Sequence, residues 1–100
     1  MIFCNIHGLF NFSDLTKLNI LYDLLNVHNV DIMCLTETHS NEKISDNELL
    51  KQGWEIYRSD SKDRIMAGST ILLKSDYIVT DKMTLSNSYC DTIGIYIFIV

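Results

Sequence analysis

Proline is absent from this chain and glycine is scarce, at four residues in 100. Without proline, and with no internal repeat or low-complexity tract, nothing marks a linker, so the length fits one small domain or part of a larger one. A lone Gly8 does not make a glycine-rich phosphate loop, which counts against a small nucleotide-type ligand-binding domain. The three cysteines, Cys4, Cys34 and Cys90, are odd in number and far apart, with no Cys-x-x-Cys spacing. They read as reduced thiols of an intracellular (cytoplasmic or nuclear) chain, with Cys4 and Cys34 as small core residues of two strands. Positive charge is also short: eight Lys and Arg face 13 Asp and Glu, for a formal net charge of −5. That balance argues against a stand-alone nucleic-acid binder, because phosphate neutralisation needs a basic surplus. It leaves room for a site that reaches phosphate through a bound cation. No charged segment precedes an apolar one at the start, so no secretory signal is expected. The apolar stretch from Ile93 to Val100 is too short to span a bilayer and reads as a strand, so no membrane partner is expected.

What is present centres on Asp31 to His39. Ile32-Met33-Cys34-Leu35 is a short, wholly apolar run that ends abruptly in Thr36, Glu37, Thr38 and His39. A run of this length without alternation suits a strand covered on both faces in a parallel sheet. In open α/β sheets ligands sit at the carboxyl ends of strands, which makes Glu37 the first candidate for chemistry. The plainer account is that strand ends carry Glu and Thr because they emerge into solvent, and only the preceding element raises the functional reading above it.

That element is a strand at Ile2-Phe3-Cys4, ending at Asn5, and then a helix over about residues 13 to 28. Asn11, Ser13 and Asp14 are alternative N-caps. Leu15, Leu18, Leu21, Tyr22, Leu25 and His28 recur at helical spacing, with Leu24 widening the stripe. Asn29 is a left-handed stop. Strand, helix and strand within some 35 residues form a right-handed βαβ unit with two parallel strands. Their carboxyl ends share one edge, which brings Asn5 and Glu37 to the same rim. An amide and a carboxylate there suit a hydrated divalent cation and a phosphate oxygen. Many α/β proteins have such a rim.

Downstream, Ser45-Asp46-Asn47-Glu48 fits a capping box ahead of a single helical turn before Gly53. Trp54 to Arg58 alternates as a strand, Ser59 to Arg64 is a charged hairpin loop, and Ala67 to Lys74 is the next strand. Tyr77 to Thr80 continues extended, Lys82 to Asp91 reads as loop, and Thr92 to Val100 is the last strand. One βαβ unit followed by strands with little helix resembles the opening half of a mixed-sheet α/β fold.

Cys4-Asn5-Ile6-His7-Gly8-Leu9, a helix, and then Asp31 to His39 resemble the endonuclease/exonuclease/phosphatase superfamily, most closely the endonuclease domain of non-LTR retrotransposons. The likeness continues through Ile44 to Leu49, Gly53 to Asp60 and Ala67-Gly68-Ser69, nearly the whole chain. It implies the N-terminal part of a four-layer α/β sandwich with mixed sheets flanked by helices, from a domain that hydrolyses phosphodiesters with Mg²⁺ or Mn²⁺. Asn5 falls on the position that helps bind the phosphate and metal region, Glu37 on the metal ligand, and Gly8 on the glycine where the backbone turns away. The complete domain acts on DNA. Ala67-Gly68-Ser69 departs from the family's glycine-rich triplet. The later pieces (an active-site tyrosine, an Asp-x-Asn pair and a terminal Asp-His pair) have no counterpart in these 100 residues. The resemblance therefore implies a domain truncated before those motifs, inactive alone, with weak or no DNA binding. The alternative is a decayed, non-catalytic α/β fragment or interaction module.

Other residues carry weaker readings. His7 and His39 flank the rim as candidate substrate contacts, although a surface loop histidine is the commoner role for the first. His28 suits a helix C-terminus. Arg58, Asp60 and Arg64 surround the hairpin loop; the resemblance keeps Arg58 and Asp60 as candidate substrate contacts against a plain solvated loop. Trp54 and Tyr57 read as packing residues, since no basic groups interleave with them.

Overall fold

The computed structural model describes residues 1–9, 16–61, 67–86 and 90–98, with the side chain of residue 86 left aside. The proposed N-caps Asn11, Ser13 and Asp14, together with Leu15 and Arg64, lie outside the described residues. The elements run β1 (Ile2–Asn5), α1 (Thr16–Val27), β2 (Ile32–Thr36), α2 (Asp46–Leu49), β3 (Trp54–Ser59), β4 (Ser69–Lys74), β5 (Ile78–Ser86) and β6 (Asp91–Phe98). The chain is thus α/β with a mixed sheet and few helices, as the resemblance implies. β1 and β2 pair in parallel, β2 and β3 each pair antiparallel with β4, and the sheet order is β1-β2-β4-β3. β5 and β6 form a separate antiparallel ribbon.

Helix α1 buries Leu18, Leu21, Tyr22 and Leu25 on one stripe. These meet Met33 and Leu35 of β2, Leu72 of β4 and Trp54 of β3 in a single core, with Leu9, Val30 and Leu49 closing its ends. Asn29 terminates the helix as read, at φ 52°. The Val30 N–H donates to Leu25 O at 2.9 Å and the Asn29 N–H to Asn26 O at 3.3 Å, the paired bonds of a Schellman close. The capping box also forms: the Ser45 N–H donates to Glu48 Oε2 at 2.7 Å ahead of the single turn of α2. Trp54 packs its ring edge-on to Tyr22, centroids 5.8 Å apart.

Three expectations change. β2 does not sit in a parallel sheet covered on both faces: it has one parallel and one antiparallel neighbour, and Ile32 and Cys34 are only half-buried. The strand dry on both faces is β4, where Thr70, Ile71, Leu72 and Leu73 are all buried. Helix α1 and the β5–β6 ribbon cover its opposite sides. Second, residues 82–86 are strand rather than loop, because they pair with β6 from Lys82↔Ile95 to Ser86↔Asp91. Cross-strand pairing there overrides a polar composition. Third, Leu24 does not widen the buried stripe, and it and His28 are exposed.

The Tyr22 hydroxyl donates to Leu49 O at 2.8 Å inside the core, tying α1 to α2. Burial pushes this phenol up to about 12. The folded state therefore keeps the proton above the pH at which an unfolded chain releases it. The associated stability is complete below pH ~10 and is lost as pH rises towards the folded value, up to ~3 kcal/mol. Tyr22→Phe should cost ~1 kcal/mol at pH 7 for the lost bond and should flatten the fall in stability above pH 10. Urea unfolding of both proteins across that range tests this, and identical pH profiles would sink it.

Candidate functional site at the β1–β2 rim

The parallel pairing aligns Asn5 with Thr36 and then continues past both strand ends. The N–H groups of Ile6, Gly8 and Leu9 donate to the carbonyls of Thr36, Glu37 and Thr38 at 3.0, 2.7 and 2.8 Å. On the other side, the N–H groups of Thr38 and His39 reach Gly68 O and Ala67 O at 3.3 and 2.9 Å. Three segments are therefore laced together at one edge, and Asn5, His7, Glu37 and His39 occupy it.

The backbone there is unusual. His7, Glu37 and His39 have φ of 49°, 54° and 57°, the left-handed region, without being glycine. Asn29, the helix stop, is the other such residue described. Left-handed non-glycine residues cost ~1 kcal/mol or more each and gather at sites where the surroundings hold them for a purpose. Gly8, at φ 91°, completes the turn: a Cβ there would sit 2.9 Å from His39 Nδ1. Gly68 is equally constrained, with φ 106° and Thr38 Oγ1 2.6 Å from the position of a Cβ.

The side chains then converge. Asn5 Oδ1 accepts the His7 N–H at 3.1 Å. His7 Nδ1 lies 3.9 Å from Glu37 Oε2, and its ring meets His39 edge-on, centroids 5.4 Å apart. The His7 and Glu37 side chains are 71% and 40% exposed, so this contact contributes little stability and does not by itself explain the geometry. His39 Nε2 and the hydroxyls of Thr38, Ser40 and Thr70 are buried without hydrogen-bond partners among the described residues. Each such group costs ~1–3 kcal/mol, and three of the four lie in residues 38–40. Lys17 stands off the buried stripe of α1. Its ammonium donates to Ile6 O and His7 O at 3.0 and 3.1 Å, pinning the turn that carries His7. No spacing in the sequence signals this tertiary contact.

The donor set sets limits on a metal. Among the described residues no group of three or more His, Cys, Asp or Glu side chains is arranged as a metal cage. One carboxylate beside one amide instead suits Mg²⁺, which keeps several waters and takes one or two protein carboxylates. Glu37 is the carboxylate that could serve that mode of binding, while Asn5 Oδ1 on the same rim already accepts the His7 N–H.

Arg58 and Asp60 stand apart from the rim. The guanidinium donates to Ile44 O, Asp46 Oδ1, Asn41 O and both oxygens of Asp60, at 2.7 to 3.3 Å. That accounts for all five N–H groups, leaving none for a substrate. Arg58 instead straps residues 41–46 to β3. Trp54 is core, as read, and Tyr57 is half-buried on the opposite face of β3.

Two outcomes follow from this geometry. Glu37→Gly should raise stability by up to ~1 kcal/mol by relieving the left-handed backbone, the reverse of an ordinary Gly substitution. A loss of stability in urea unfolding would show that φ at Glu37 is not a cost. Arg58→Lys should lose ~2–4 kcal/mol, because three donors replace five and a carboxylate cluster is left underpaired. A change below ~0.5 kcal/mol would place Arg58 among ordinary surface residues.

No protein-family model matches the chain, and no curated protein matches it. Among solved structures, the crystal structure of the Xenopus laevis APE2 catalytic domain is similar, with a TM-score of 0.62 and 24% identity. The match covers 89% of this chain and 27% of that one, so this chain spans about a quarter of the length of the structure it resembles. At that identity the likeness establishes a shared fold alone: an α/β arrangement with a mixed sheet and few helices.

Proposed function

We propose that the β1–β2 rim is the metal- and phosphate-binding corner of a Mg²⁺-dependent phosphodiesterase domain, of the retrotransposon-endonuclease kind, and that these 100 residues are its N-terminal part. The observation that carries this reading is the run of left-handed His7, Glu37 and His39 around Asn5, on the edge where two parallel strands end. Backbone cost held in place at a strand-end rim is a feature of sites more than of solvated loops. The fold shared with the APE2 catalytic domain, an AP endonuclease domain, supports the same class of chemistry.

Glu37 is the metal-ligating carboxylate in this reading. A divalent cation bound there supplies Lewis-acid polarisation of a phosphoryl oxygen and charge stabilisation of the leaving oxygen. Asn5 has its carbonyl oxygen engaged by the His7 N–H, so its NH₂ is the donor for a phosphate oxygen. His7 and His39 flank the substrate position. No residue of the rim is assigned the role of general base, and hydrolysis requires one. The chain alone therefore binds a cation at the rim and does not cleave DNA, and its net charge of −5 keeps duplex affinity weak.

The test is a ¹H–¹⁵N NMR titration with MgCl₂, repeated with MnCl₂ for paramagnetic broadening. Shifts and broadening should centre on Asn5, His7, Glu37 and His39 and vanish in Glu37→Gln. No saturable effect at these residues would favour the decayed, non-catalytic alternative. Mg²⁺-dependent nicking of supercoiled plasmid, abolished by Glu37→Ala, would overturn the claim that the chain is inactive alone.

A further inference from the structure

Behind the rim, three hydroxyls are buried without a hydrogen-bond partner among the described residues: those of Thr38, Ser40 and Thr70. Their residues are 0%, 3% and 1% exposed. Buried hydroxyls in folded proteins nearly always have a partner, because an unpaired one lowers the folding equilibrium constant by about tenfold or more. The fold gathers these three at one place.

Thr70 pairs with Leu35 of β2 on one side and Arg58 of β3 on the other. Alternate residues of a strand share a face, so Thr70 lies on the side of Leu72, which is the core side. Thr38 Oγ1 stands 2.6 Å from where a Cβ of Gly68 would be, two residues before Thr70, in the room that the glycine leaves. Positions two apart on a strand are separated by ~6.7 Å, a span that one or two bridging waters cover. Arg58 reaches from beside Thr70 to Asn41 O and Ile44 O, so the segment that begins at Ser40 is held against this end of the sheet. His39 belongs to the rim instead, with its Nδ1 2.9 Å from the position of a Gly8 Cβ.

We propose that Thr38, Ser40 and Thr70 form an internal binding site for one or two water molecules, shared among the three hydroxyls and closed over by the 41–46 segment. The chemistry of the donor set selects the occupant. Each hydroxyl donates once and accepts twice, and a buried water makes about three hydrogen bonds. A cation would have no carboxylate among the three and would sit beside the Arg58 guanidinium. An anion would find that guanidinium already spent on Ile44, Asp46, Asn41 and Asp60. A neutral molecule that both donates and accepts fits. The bound water ties Thr38, which stands between Glu37 and His39, to β4. It therefore helps hold the left-handed backbone of the rim, and it does so whether or not the rim binds a metal.

The test uses Thr38→Val and Thr70→Val, which keep the shape of the side chain and remove the hydroxyl, singly and together. If the hydroxyls hold water, each single variant should lower the folding equilibrium constant in urea unfolding by about fivefold or more. The double variant should lose less than the product of the two, because both hydroxyls serve the same water. A dry, unpaired hydroxyl gives the opposite sign, so a rise in the constant for either variant would overturn the proposal, as would losses that simply multiply. NMR of the parent chain supplies a second reading that needs no variant to fold. Nuclear Overhauser effects from long-lived water should reach the Thr38 and Thr70 methyl groups, and in Thr70→Val they should vanish at Thr38 as well. Absence of water contacts at both methyls, or their survival at Thr38 in that variant, would equally overturn it.

Discussion

The register between β1 and β2 is the constraint on which everything else here depends. A parallel pair cannot be closed by a tight turn, so α1 must cross over between the strands, and its buried stripe becomes the roof of the core. The same register sends both strand ends to one side. Three further backbone bonds, from Ile6, Gly8 and Leu9, extend the pairing beyond the strands. A slip of one residue would turn Met33 and Leu35 out of the core and break the alignment of Asn5 with Thr36. Core and rim are thus specified by one set of hydrogen bonds.

That coupling explains how the rim tolerates its local costs. Left-handed backbone at three residues and unpartnered polar atoms in residues 38 to 40 would melt an isolated loop. Here they are bracketed by β1 on one side and the Ala67–Gly68 segment on the other, while Lys17 ties the turn to the helix. The Arg58 cluster is the opposite case. Its hydrogen bonds are all made within the chain and its guanidinium is largely buried, which makes it a strap between residues 41–46 and β3.

The legible parts of the sequence were those governed by local rules. The α1 stripe from Leu18 to Leu25, the Asn29 stop, the Ser45–Glu48 capping box and the βαβ order each follow from spacing within a few residues, and the structure shows them. The juxtaposition of Asn5 and Glu37 at one edge followed from parallel-strand topology. What escaped depends on distant partners. Residues 82–86 are strand only because β6 lies beside them, and β4 rather than β2 is covered on both faces only because the ribbon folds over Ile71 and Leu73. Lys17 and Arg58 act through carbonyl oxygens, which carry no sequence identity. The left-handed φ of Glu37 had no signal either, since neither glycine nor asparagine stands there.

Coverage of the apolar surface is uneven in a way that composition does not require. A chain that is 47% hydrophobic has enough apolar side chains to fill one core, and it does so between α1 and the sheet. The surplus is not scattered as single exposed residues, which would be ordinary. It collects on α1 beside the open edge and on the outward side of the ribbon, both in strict register with their elements. An amphipathic element in contact with water alone gains nothing from a second apolar stripe, so these aligned patches stand apart from scattered exposed residues. Among the described residues the two faces therefore share one physical reading: each is a patch of apolar side chains aligned by its own element, and neither adds to the single core between α1 and the sheet.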